Sequence, residues 1–135
     1  YGRLNEHKSV NYHGTVSNDE IRKALTETHI LAYPSTYRET SCLVAIEAMA
    51  AGCMAVLPNY GALPETCKDF ALMYPWSPDI QQHAATHYHY LCSALNTFWN
   101  DNTQKILEMQ TVYYEYYYGM DMCASKWNSL LRSLR

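Results

Sequence analysis

Apolar positions along this chain fall into short blocks separated by polar, Gly-rich or Pro-rich links. Residues 10–13, 29–33, 53–57 and 70–74 read as strands, each closed by a breaker: Gly14, Pro34, Pro58 and Pro75. Residues 19–28 carry an apolar stripe of Ile21, Ala24 and Leu25 behind a capping Ser17 or Asn18, which predicts a helix. A second helix starts near Thr40 or Ser41, either of which can cap it. It continues through Cys42, Leu43, Val44, Ala45, Ile46, Ala48, Met49, Ala50 and Ala51, with Glu47 as the sole charge. A helix apolar all round is a buried helix. Residues 64–68 allow a short helix. From residue 79 the pattern turns helical: 79–100, then a helix starting at Asn102 or Thr103 and running to Tyr118, then 120–134 after Gly119. The last places Met120, Ala124, Trp127 and Leu131 on one face. Strands alternating with helices over short links predict βαβ units, a parallel sheet and an α/β fold. Residues 1–135 are expected to form a single domain, with a βαβ core at 1–78 and a mainly helical part at 79–135.

Glu47 gives the central helix its chemistry. A carboxylate in an apolar helix is costly unless something bonds it: a backbone amide, a basic side chain or a ligand. Glu39 in the preceding loop adds a second acid. Between the two lies a helix N-terminus, whose unpartnered amides and positive dipole end favour an anion, typically phosphate. At 1.5 Å of rise per residue, Glu47 sits roughly 9 Å down the axis. That is too far for the pair of carboxyls about 5 Å apart that a retaining glycosidase needs. The layout suits a ligand with hydroxyls at both ends and a diphosphate between them. A capping Ser with a buried Glu held by nearby backbone fits equally well. In a parallel sheet, ligands bind beyond the carboxyl ends of the strands. Gly14, residues 34–39 and residues 59–65 all fall at that end and are expected to converge on one crevice.

Composition narrows the field. The chain has 135 residues, 48% of them hydrophobic, enough for a proper core. A net charge of -3 without a basic run argues against a nucleic-acid partner. The central apolar stretch is too short to cross a bilayer, and residues 1–11 show no signal-peptide pattern. The 5 cysteines fit neither a zinc site nor a disulfide framework, which suggests reduced thiols and a cytoplasmic protein. No G-x-G-x-x-G or G-x4-G-K-[ST] is present, disfavouring a dinucleotide oxidoreductase or a P-loop enzyme. His83, His87 and His89 share no single helical face and lack a carboxylate, so they read as surface and the metal assignment is none. The 13 tyrosines include Tyr113, Tyr114, Tyr116, Tyr117 and Tyr118, a run read as half core and half amphipathic surface rather than a sugar platform.

The chain resembles the family 4 glycosyltransferases, in the C-terminal, nucleotide-sugar-binding lobe of the GT-B fold. Glu39 and Glu47 flank seven residues, as in that family's E-x7-E motif. Tyr33-Pro34-Ser35 leads in, Ala48-Met49-Ala50-Ala51-Gly52 follows, and Gly61-Ala62-Leu63-Pro64-Glu65-Thr66 comes after. The likeness begins at Val10 and covers roughly the first half of the chain. It implies a Rossmann-like parallel sheet with flanking helices, the C-terminal half of a GT-B fold.

The resemblance implies roles at matching positions. Glu47 would hold the ribose hydroxyls, and Glu39 would contact the transferred sugar and stabilise transition-state charge. Thr40, Ser41, Cys42 and Leu43 would offer amides to the diphosphate. Gly14, Thr15 and Val16 would border the base, while Gly61, Ala62 and Leu63 would line the crevice. For Gly14 and Gly61, a turn needing positive φ is an equal reading. The family usually carries an aromatic and a Gly near Ser41 and Cys42, so this pocket would differ in shape. The family's phosphate-clamping Arg and Lys lie upstream of its first Glu and are expected outside this chain; Arg38 could serve as a cation instead. The implied function is the donor-binding lobe of a retaining, metal-independent, hexosyltransferase-like enzyme that needs no cofactor. Its partners would be a nucleotide sugar and an N-terminal acceptor-binding lobe, fused or in trans. The chain is thus expected to be a fragment or a separately encoded lobe, incomplete for catalysis alone, with any peripheral membrane association arising elsewhere. Two alternatives are a non-catalytic module of the same fold and, less favoured, a phosphorylase or epimerase relative.

Overall fold

A computed structural model of the chain describes residues 7–134. Its element order is α1 (Asn18–Thr26), β1 (Ile30–Ala32), α2 (Leu43–Ala50), β2 (Met54–Asn59), α3 (Leu63–Cys67), β3 (Leu72–Pro75), α4 (Ile80–Thr97), α5 (Asp101–Tyr118) and α6 (Met120–Ser133), with a 3-10 turn at Lys68–Phe70. The strands form one parallel sheet in the order β1-β2-β3. Ile30 pairs with Met54 and Ala32 with Val56; Val56 pairs with Leu72 and Pro58 with Tyr74. The fold is therefore α/β, a Rossmann-like parallel sheet flanked by helices and followed by C-terminal helices.

Central strand β2 reads as one apolar run because helices cover both of its faces. Ala55 and Leu57 point into a core with Ala45 and Met49 of α2, Leu63 and Cys67 of α3, and Tyr114 of α5. Val56 points the other way, onto Tyr74 and Ala94 of α4. The strand runs past the breaker at Pro58 to Asn59. Proline loses only its N–H there, and its fixed φ suits extended backbone.

Three expectations need correction. Residues 10–13 form no strand and are exposed. The central helix starts at Leu43 and takes neither Thr40 nor Ser41 as a cap: its N-cap is Cys42, without a side-chain cap bond. Nor is it buried all round, since Leu43 is 71% exposed. Ser17, by contrast, closes a full capping box with Glu20 at the head of α1.

The histidines also need correction. His83 is 2% exposed and His87 half-buried, because i and i+4 on α4 do share a face, and that face packs on Tyr74. Both imidazole rings lie 5.4 Å from the Tyr74 ring, and the Tyr74 hydroxyl is 3.3 Å from His83 Nε2. His89 alone of the three is exposed. Burial, with the neighbouring His83 adding to it, holds His87 below the ordinary histidine value of 6.5. The folded chain therefore binds fewer protons than the unfolded chain in the window just below that value. Stability should be complete above about pH 6.5 and fall as the pH drops towards the depressed value. Melting curves should show this loss, and His87→Gln should flatten it. An unchanged acid slope in the variant would remove His87 from the explanation.

The C-terminal helices differ in packing. On α5, Leu107, Gln110 and Tyr114 are buried against the core, while Tyr116, Tyr117 and Tyr118 are exposed, so the tyrosine run divides as its pattern predicts. On α6 no residue is buried, and Met120, Trp127 and Leu131 all face solvent. No helix among the described residues is long and apolar enough to cross a membrane.

Candidate functional site

The carboxyl edge of the sheet gathers the loop after β1, the head of α2 and the loop after β2. Strand pairing carries one residue past β1, where the Tyr33 amide donates to the Val56 carbonyl at 2.9 Å. Pro34 then ends the ladder, and the Ser35 hydroxyl turns the chain, accepting from the Tyr37 amide and donating to the Tyr37 carbonyl. The chain returns at Glu39, which is anchored twice. Its carbonyl accepts from the Ala62 amide at 3.0 Å, and its Oε1 accepts from the Tyr33 hydroxyl at 2.5 Å. That bond, reinforced by burial, lifts the Tyr33 phenol far above its ordinary value, so it remains a proton donor.

Gly61 lets the two loops meet. Its φ is +61°, and a Cβ there would stand 2.8 Å from the Glu39 carbonyl oxygen and 2.9 Å from the Glu39 nitrogen. Both readings of this glycine hold together: a left-handed turn, and a close backbone approach. At Gly14 φ is +67° but a Cβ would touch nothing, so only the turn applies.

The head of α2 is built unusually. Cys42 adopts a left-handed conformation, φ 65° and ψ 75°, which costs a side-chain-bearing residue free energy. It stands near the place where the resembled family usually has glycine. Its thiol is buried in the core, and burial pushes the thiol pKa up, with the charge of Glu39 adding to the effect. A relay holds the segment from behind: the Thr66 hydroxyl donates to the Ser41 carbonyl at 2.6 Å, and the Tyr114 hydroxyl donates to the Thr66 carbonyl at 2.6 Å. Gln110, fully buried, closes the other end of α2 by donating to the carbonyls of Met49 and Cys53. Among the described residues nothing accepts from the amides of Thr40, Ser41, Cys42 or Leu43. The helix therefore presents its positive end, free of any side-chain cap, towards solvent.

Glu47 lies one helical turn and a little more below, half-buried. No amide, hydroxyl or cation among the described residues bonds its carboxylate. The carboxylate is thus left to solvent or to a ligand.

The structure brings together Glu39, Gly61, Ala62, Cys42 and the amides at the α2 head. Others fall elsewhere. Leu63 is fully buried, and the Ala62 amide donates to the Glu39 carbonyl. Gly14 and Thr15 are exposed, and Val16 lines a separate concavity against α1, with His13, Glu20 and Ile21. Arg38 is exposed and in no ion pair among the described residues, and its side-chain stem lies beside Gly61. Tyr33, Thr66 and Tyr114 were not legible as site residues. A Tyr directly before a strand-ending Pro was the available signal for Tyr33. At the exits of β2 and β3, Tyr60 and Trp76 stack face to face at 4.3 Å. Among the described residues no group of three His, Cys, Asp or Glu is placed to hold a metal ion.

No curated protein and no solved structure matches the chain. A family model described as glycosyl transferases group 1 matches residues 3–86. The matched stretch contains the whole sheet, both carboxylates, the head of α2 and the Gly61 loop. On a match over more than half its length, this chain belongs to the glycosyl transferases group 1, a glycosyltransferase family.

Proposed function

We propose that the chain is the donor-binding, C-terminal lobe of a GT-B fold family 4 glycosyltransferase that moves a sugar from a nucleoside diphosphate sugar to an acceptor. In this reading the diphosphate lies on the open amides of Thr40, Ser41, Cys42 and Leu43. Glu47 takes the ribose hydroxyls, and Glu39 faces the sugar. The enzyme is retaining, hexosyltransferase-like, cytoplasmic and independent of metal and cofactor, and works by electrostatic stabilisation of the departing diphosphate. The observation that carries the reading is Glu47: a half-buried carboxylate without a protein partner among the described residues, beside an uncapped helix head. Acceptor binding falls to an N-terminal lobe, fused or in trans, so this lobe is incomplete for catalysis alone. The exposed apolar residues Met120, Trp127 and Leu131 of α6 favour such a contact. They equally suit a non-catalytic binding module.

The test is thermal stability against UDP, GDP, ADP and their sugar conjugates. A ligand that binds only the folded chain stabilises it by about 2.7 kcal/mol at a hundredfold excess over Kd. Stabilisation by one nucleotide family is expected and would name the base. No shift with any of them would leave the binding-module reading.

A further inference from the structure

Glu39 and Glu47 are prepared very differently. Glu47 has no protein partner among the described residues, whereas Glu39 is fixed from both sides. Its main chain is held by the Ala62 amide and by the close approach of Gly61. Its side chain is held at Oε1 by the Tyr33 hydroxyl. Tyr33 is itself rigid: its amide extends the β1–β2 ladder, and its half-buried ring packs on the main core. The Glu39 carboxylate is thus connected to the sheet through one phenol. Oε2 has no partner among the described residues, so the free oxygen is presented in one orientation.

Resting on the donor-site reading, we propose that Tyr33 is a positioning residue for Glu39, and that the Tyr33–Glu39 pair sets the preference of the site for a nucleotide sugar over the bare nucleotide. A glutamate in water samples many rotamers, and ordering it on binding costs free energy. Here the phenol has ordered it beforehand, so a sugar hydroxyl meeting Oε2 gains a charge-assisted hydrogen bond without that cost. The diphosphate gains nothing from the arrangement because its contacts lie on the helix amides. Tyr33 therefore acts on the sugar through Glu39.

Calorimetric titration of the chain with a nucleoside diphosphate and with its hexose conjugate tests this. Tyr33→Phe keeps the ring and removes only the hydroxyl. It should weaken conjugate binding about tenfold more than binding of the bare diphosphate, as expected for one hydrogen bond to a charged group. Glu39→Ala should erase the same preference, and Tyr33→Phe placed on Glu39→Ala should add nothing to it. A residue that merely supports the fold would weaken both ligands alike and would act in both backgrounds. The proposal is overturned if Tyr33→Phe keeps the wild-type preference, or if its effect is the same with and without Glu39. Should Tyr33→Phe fail to fold, Glu39→Ala carries the test alone, and retention of sugar preference there overturns the proposal. Failure of the wild-type chain to bind any nucleotide is a different result: it removes the donor-site reading and this inference together.

Discussion

Glu47→Ala should abolish stabilisation by any nucleotide the chain binds while leaving the unliganded melting temperature unchanged or slightly raised. The two halves of this expectation come from one observation, the absence of a protein partner for the carboxylate among the described residues. Removing a half-buried carboxylate that no protein group bonds costs no protein hydrogen bond. Alanine also has the best helix propensity, a gain of up to about 0.7 kcal/mol in a helix interior. Against this, a carboxylate bonding two ribose hydroxyls contributes about 1.5–3 kcal/mol per bond, so affinity should fall about a hundredfold or more. Melting curves with and without ligand report both quantities. A structural Glu47 would give the opposite pattern, with a lower unliganded melting temperature and ligand shifts that persist.

Gly61→Ala should lose about 2–4 kcal/mol of stability, the sum of a left-handed conformation at about 1–2 kcal/mol and an overpacking term of similar size. This is a large part of the 5–15 kcal/mol typical of a domain. Glu39 backbone atoms would lie under 3 Å from the new methyl group, so the loop carrying that acid must move. Gly14→Ala supplies the control: its φ is also left-handed, but the space is empty. It should cost only the conformational part, about 1–2 kcal/mol. Chemical denaturation of the two variants side by side separates the terms. Equal losses would mean that the Gly61 loop gives way and that Glu39 is not pinned there.

Legibility in the sequence followed the range of the forces involved. Apolar runs and Pro or Gly breakers are local, so the strand cores at Leu31, Val56 and Met73 and the helices behind Ser17 and Asp79 were plain. Asp79 caps α4 through its side chain, as an acid before a helical run should. The two carboxylates were visible because charge in an apolar run is conspicuous. What escaped depends on contacts distant in sequence. The loose course of residues 10–13 was not visible in their apolar pattern. The partners of Thr66 lie 25 residues before it and 48 after it. Cys42 gave no sign of a left-handed conformation, because a cysteine there is tolerated only by what surrounds it. His83 and His87 lie one turn apart on a single buried face, a spacing that the exposed His89 two residues on obscures in the sequence.

The staples on α2 bear on how the chain is made. Gln110 bonds carbonyls 61 and 57 residues earlier, and Tyr114 bonds Thr66 across 48. A ribosome releases β1, α2 and β2 well before either side chain leaves the exit tunnel. Until then the carbonyls of Met49 and Cys53 lack their Gln110 donor, and Tyr114 is not yet behind Thr66 to steady the strained backbone at Cys42. Closing such long loops is slow as well as entropically costly. The nascent chain can therefore pair its strands early but completes the edge that would meet a ligand only after α5 has emerged.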